Sequence, residues 1–167
     1  MNVVILAADG FDDDSGDSSP RCFSQHVGDV SLVERQLRVL SLYGIDRKRV
    51  TLVIGAEGAW ADSVWSDHAK GLGCNVVVNP SNASTRSGCS LKLALMSIGF
   101  VDPCLVISGD LNFDTKHIDA LLSVNSDSRV LVRQALSVGE KGTLISLKGD
   151  SITLVGDAVR DEMFPWS

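Results

Sequence analysis

Residues 2–7 read Asn-Val-Val-Ile-Leu-Ala, an apolar run with no polar alternation. Such a run marks a strand buried on both faces, which is the habit of parallel sheets. Similar short runs return at Val50–Ile54, Asn75–Val78, Cys104–Ile107 and Arg129–Val132. Segments of helical period separate them. Ser31 and Glu34 have capping-box spacing, so a helix opens there, with Val33, Leu37 and Leu40 as its apolar stripe and Gly44 as its stop. Ala59–Leu72 reads as a helix with Val64, His68 and Leu72 on one side. Ser87–Ile98 reads as another, with Leu91, Ala94, Leu95 and Ile98 facing inward. Asp114 caps a shorter one that runs to Leu122. Strands alternating with helices predict an α/β fold, a Rossmann-like three-layer sandwich with a mostly parallel sheet. After Leu136 the pattern changes. Thr143–Leu147 and Ile152–Val155 flank Lys148-Gly149-Asp150-Ser151, which predicts a late β-hairpin.

The chain has 167 residues, 44% hydrophobic and 22% charged, with a formal net charge of −6. One domain of ordinary size fits this length, and the composition excludes a disordered chain or a coiled-coil rod. No apolar run reaches the roughly 20 residues of a membrane span. The negative balance argues against nucleic-acid binding by general attraction. Cys22, Cys74, Cys89 and Cys104 form no C-x-x-C pair, so zinc-ribbon and thioredoxin chemistry get no support. The opening residues carry no basic leader, and a cytoplasmic, reduced protein is expected. The tail, Phe164-Pro165-Trp166-Ser167, ends on apolar residues. Such an ending leads us to expect that residues 1–167 are one domain forming the N-terminal part of a longer chain.

Ligands of open α/β sheets bind beyond the carboxyl ends of the strands. Three segments fall there. The loop from Ala8 to Asp29 follows the first strand, and Ala7, Ala8 and Gly10 would let a backbone approach phosphates or a base. This loop also holds Asp9, Asp12, Asp13, Asp14 and Asp17, while Arg21 is its one cation. The segment Thr85-Arg86-Ser87-Gly88-Cys89-Ser90 opens the third helix. There Ser87 is a candidate N-cap, and Thr85, Ser87 and Ser90 offer hydroxyls to a base edge or ribose. Asp110 ends the fourth strand, where a lone carboxylate suits Mg²⁺ held against a nucleotide phosphate. The alternatives are a solvated loop, simple capping and a turn-initiating Asp. His26, His68 and His117 share no ligand spacing.

In these segments the sequence resembles the sugar-phosphate and alcohol-phosphate nucleotidyltransferases along nearly its whole length. Val3-Val4-Ile5-Leu6-Ala7-Ala8 is similar to the family's opening strand. Pro20-Arg21 stands where the family has Pro-Lys, and Gly28–Leu37 resembles the segment that follows. Leu42-Tyr43-Gly44-Ile45 with Val50–Gly55 resembles the helix end and second strand. Val78-Asn79-Pro80, then Thr85-Arg86-Ser87 and Ser90-Leu91, resembles N-P…T-N-S-x-x-S-L. Gly109-Asp110…Phe113-Asp114 resembles G-D-x-x-F-D. The N-P…S-L pattern is typical of the branch that uses CTP.

The resemblance implies a cytidylyltransferase. It would move CMP from CTP to a small phospho-alcohol or phosphonate, of the phosphocholine, 2-aminoethylphosphonate or 2-hydroxyethylphosphonate type, and release pyrophosphate. Carried over by position, Ala7, Ala8 and Gly10 cradle the nucleotide, and Arg21 takes the Lys role at the phosphates. Thr85, Ser87 and Ser90 lie near base and ribose, and Asp110 holds Mg²⁺. Homo-oligomerisation and fusion to a second domain, such as a phosphonate-forming mutase, fit the same reading. Departures are also present. Asp9, Phe11 and Asp13 replace the Gly, Gly and Arg of A-A-G-x-G-[ST]-R, and Arg86 replaces an Asn. Val155-Gly156-Asp157 stands where many relatives have Gly-Lys, and the family's second metal carboxylate falls beyond Ser167. A working variant with a different phosphate grip, a domain completed by residues after Ser167, and an inactive copy all remain open. Outside the enzyme class stand a non-catalytic nucleotide-binding or scaffold domain of the same fold and a receiver-like signalling domain.

Overall fold

The structure is a computed structural model that describes residues 1–8, 20–56, 63–85, 87–99, 103–122, 145–148 and 151–155. The chain divides into two compact units, Met1–Ile118 and Asp119–Ser167. In the first, β1 (Asn2–Leu6) leads to α1 (Arg21–Ser24), the short strands β2 (His26–Val27) and β3 (Val30–Ser31), and α2 (Leu32–Leu42). A 3-10 turn (Arg47–Arg49) precedes β4 (Val50–Gly55). Then come α3 (Ser63–Gly71), β5 (Asn75–Asn79), α4 (Ser87–Ile98), β6 (Cys104–Ser108) and α5 (Thr115–Leu122), whose last residues fall in the second unit.

Four parallel strands form the sheet in the order β5-β4-β1-β6. With helices flanking it, this is the α/β, Rossmann-like sandwich that the alternating pattern predicts. Val3, Val4 and Ile5 are fully buried, and every residue of β4 is buried, as continuous apolar runs require. Right-handed crossovers put α2 and α3 on one face and α4, after the order reverses, on the other. The core under α4 gathers Val4, Ala8, Val53 and Ala94, with Leu6, Val77, Leu91, Ile98 and Cys104 packed around it. The order also argues against the receiver-like alternative. A receiver pairs its third strand with its first, whereas here β5 pairs with β4.

α2 begins as its sequence predicts. Ser31 is the N-cap, and its Oγ accepts from the Glu34 N–H at 3.4 Å while Glu34 Oε2 accepts from the Ser31 N–H at 3.1 Å and the Ser31 hydroxyl at 2.8 Å. Those bonds hold the Glu34 carboxyl below its ordinary value. Val33, Leu37 and Leu40 are buried, and Gly44, at φ 69°, turns the chain away after the helix.

Two expectations need correcting. The stretch from Asp9 to Asp29 is not wholly loop, because Arg21–Ser24 form a helical turn and Val27 pairs with Val30 across a two-residue turn. Cys22 and Phe23 are buried, and that burial makes the segment fold despite its polar surroundings. In α3 the predicted face is also rotated. Val64 is 62% exposed and His68 is exposed, whereas Ala69 and Leu72 are buried, with Trp65 half-buried one turn earlier. α3 packs on β4 and β5 through small Ala69, and the bulky Trp65 fixes which side turns inward.

The predicted strand at Arg129–Val132 and the first residues of the helix predicted from Ala59 lie outside the described residues. In the second unit β7 (Ile145–Lys148) and β8 (Ser151–Val155) pair antiparallel, which is the predicted hairpin. Ser146 faces Leu154 and Leu147 faces Ile152, so Thr153 is the extra residue of a bulge. Among the described residues no helix is long and apolar enough to cross a membrane.

Ser31→Ala should cost about 1 kcal/mol in urea unfolding at pH 7. Glu34, with its carboxyl value lowered in the fold, stabilises fully above its unfolded value of about 4.3 and loses that contribution as pH falls through the lowered one. The gap between wild type and Ser31→Ala should therefore narrow in acid, and a gap constant from pH 6 to pH 3 would contradict the capping box.

Candidate functional site

The strand order reverses at β1, so the crevice between the carboxyl ends of β1 and β6 is the place where this fold binds ligands. Ala7 and Ala8 follow β1, and Gly109 and Asp110 follow β6. The two ends touch. The Gly109 N–H donates to Leu6 O at 2.7 Å, and a Cβ on Gly109 would stand 2.9 Å from that oxygen and 3.0 Å from Ala7 Cα and Cβ. Only glycine permits this approach. Ala7 donates its N–H to Val53 O at 2.9 Å, so that group completes the sheet and is not offered to a phosphate. Ala8 is buried in the core beneath α4. The Asp110 side chain is exposed, and its Oδ1 accepts from Ser108 Oγ at 2.5 Å.

α2 braces the segment that carries Asp110. Gln36, 1% exposed, donates from Nε2 to Leu111 O at 2.7 Å, Ser108 O at 3.0 Å and Gly109 O at 3.3 Å. Arg35 Nε donates to Asn112 Oδ1 at 2.8 Å, and the Tyr43 hydroxyl donates to Thr115 O at 2.7 Å. Gln36 Oε1 is buried with no donor among the described residues, a cost of about 1–3 kcal/mol. Sequence reasoning missed this residue. Its signal was a polar side chain three positions after Val33, on the stripe that should be apolar.

The second segment is held by two buried amides. Asn79 Nδ2 donates to Thr85 Oγ1 at 2.9 Å and Ser90 Oγ at 3.0 Å, and its Oδ1 accepts from the Ser81 N–H at 3.1 Å. Thr85 Oγ1 also donates to Ser81 O at 2.7 Å. Asn82 Oδ1 accepts from the Ala56 N–H at 2.9 Å, which ties the loop to the end of β4. Thr85 and Ser90 are therefore bonded within the protein, and Ser90 is buried. Ser87 is exposed. It is the first residue of α4 and not the predicted cap. Asn79 and Asn82 are the residues that hold this loop, and the sequence reading gave them no such role.

Arg21 is exposed at the start of α1. Burial pushes the Cys22 thiol up to about 12, and the charge of Asp110 adds to the rise. Phe23 packs on α3, its ring 4.7 Å from His68 and 5.8 Å from Trp65. Gly10 and the acidic residues 9–17 lie outside the described residues. Asp114 precedes α5, with Oδ1 2.7 Å from His117 Nδ1 and Oδ2 3.6 Å from Lys116 Nζ. The His117 contact is a hydrogen bond when Nδ1 carries the proton, while the Asp114 N–H, 3.2 Å from the same nitrogen, suits the other tautomer.

Among the described residues no group of three His, Cys, Asp or Glu side chains could enclose a metal. One exposed carboxylate still fits Mg²⁺ delivered with a nucleotide, since this ion keeps water and phosphate oxygens and needs one or two protein carboxylates. No known protein family matches the sequence, and no curated protein matches it.

Gly109→Ala should cost about 1–3 kcal/mol, because backbone and a short side chain meet the new methyl and neither can swing away. An unfolding midpoint equal to wild type would contradict the close approach. Asn79→Ala strands the Ser81 N–H and loosens Thr85 and Ser90. It should cost about 1–3 kcal/mol and speed hydrogen exchange at Ser81–Thr85 while that at Val3–Ile5 stays slow.

Proposed function

We propose that this chain is a Mg²⁺-dependent nucleotidyltransferase domain that moves CMP from CTP to a phosphate or phosphonate oxygen of a small acceptor and releases pyrophosphate. The observation that carries the reading is the junction at the switch point. Ala7-Ala8 and Gly109-Asp110 meet there, and the loop anchored by Asn79 leads into α4 at the same edge of the sheet. Acceptors of the phosphocholine, 2-aminoethylphosphonate and 2-hydroxyethylphosphonate type, and the preference for CTP, rest on the resemblance of residues 78–91.

In this reading the acceptor oxygen attacks the α-phosphorus, and the protein's work is positioning and charge neutralisation. Asp110 holds Mg²⁺, which supplies neutralising charge at the phosphates. Arg21 supplies a permanently charged guanidinium where an approaching triphosphate meets α1. Ala7 and Ala8 keep the floor of the crevice small, and Gly10 belongs to the nucleotide cradle by resemblance. The exposed Ser87 hydroxyl meets the base or ribose, and Thr85 and Ser90 act by shaping the loop. A second reading, a nucleotide-binding domain without turnover, is favoured by the carboxylates at Asp9, Asp12, Asp13, Asp14 and Asp17 and by the engaged Ala7 N–H.

Pyrophosphate release measured with each NTP, Mg²⁺ and the three acceptors separates the readings. CTP with one acceptor should turn over, and Asp110→Ala should lower the rate on the order of a hundredfold without changing the fold. CTP binding without pyrophosphate from any pair would favour the second reading, and no nucleotide binding at all would overturn both.

A further inference from the structure

The buried face of α2 consists of Leu32, Val33, Leu37, Val39 and Leu40, with Gln36 as its polar member. An apolar residue would fill that space without desolvating an amide or leaving Oε1 without a donor. What Gln36 alone supplies is Nε2, and its three acceptors, Ser108 O, Gly109 O and Leu111 O, stand on both sides of Asp110. The reversed amide would turn an acceptor oxygen on three carbonyls, so this orientation is the one the surroundings allow. Asp110 itself is exposed and reaches solvent from a turn seated on β1 only through Gly109 before it, while Leu111 and Asn112 after it are exposed as well. Its carboxylate is aimed by Ser108 Oγ, and Ser108 is in turn held through its carbonyl by Gln36.

We propose that Gln36 is a positioning residue, its buried amide clamping the three carbonyls around Asp110 so that the exposed carboxylate stands in the pose that takes a divalent cation; this rests on the reading of Asp110 given above. Gln36 touches no ligand. It acts through the backbone of residues 108–111, in the way that outer-sphere partners orient metal ligands elsewhere.

Mn²⁺ binding by the whole chain, followed by its paramagnetic signal with and without CTP, tests this apart from turnover. Asp110→Ala should abolish binding. Gln36→Met, close in shape but without a donor, should still unfold cooperatively, weaken Mn²⁺ about tenfold, and shift the Gly109 and Leu111 amide resonances while those of Asn79–Thr85 stay in place. Unchanged Mn²⁺ affinity in Gln36→Met, beside loss in Asp110→Ala, would overturn the positioning role and leave the Asp110 reading standing. Equal affinity in wild type and Asp110→Ala would remove the cation reading and the positioning role together. If Gln36→Met does not fold, the wild-type protein decides. Its Gln36 side-chain amide protons should exchange slowly and move when Mg²⁺ is added, and exchange as fast as in free glutamine would overturn the proposal.

Discussion

A strand buried on both faces can satisfy its backbone only against two neighbouring strands, and β1 takes β4 on one side and β6 on the other. The rest of the first unit follows from that requirement. Because β4 and β5 extend one way and β6 lies the other way, the helices must divide between the two faces of the sheet. The same division leaves a gap between the loops that leave β1 and β6. The junction of Leu6, Ala7 and Gly109 closes the floor of that gap, and anything bound there rests on backbone and methyl groups.

Around this floor the structure uses buried side-chain amides to hold polar loops. Gln36 secures the segment after β6, Asn79 the segment after β5, and Asn82 joins that segment to the end of β4. Each amide gives a turn the hydrogen bonds that helices and strands supply for themselves. Asp110 thus projects from a loop fixed from beneath and Ser87 from the helix start that follows one, an arrangement that limits how far either can adjust to a ligand.

Much of the fold was legible because it is written in periodicity. The Ser31–Glu34 box, the bounds of α4 at Ser87 and Ile98, and the four strands of the sheet needed only hydrophobic spacing and caps. The face of α3 was misread because Val64 and His68 have the right spacing, while the residues that pack are Trp65, small Ala69 and Leu72. The segment from Arg21 to Ser31 was hidden by its polar neighbours, and Cys22 and Phe23 were too short a signal to read as helix. Asp110 and Gly109 could be found from their place at a strand end. Gln36 and Asn79 could not be assigned from sequence, because their value comes from carbonyls and hydroxyls brought to them by the fold, Gln36's from 72 to 75 positions away.

The stack of Phe23, Trp65 and His68 has an optical consequence. Trp65 is the tryptophan within the described residues, and its indole lies 5.8 Å from a ring on α1 and 6.5 Å from an imidazole on its own helix. Its emission is thus coupled to the seating of the turn that carries Arg21. A protonated imidazole quenches indole fluorescence, so the Trp65 share of the emission, beside that of Trp60 and Trp166, also carries the state of His68.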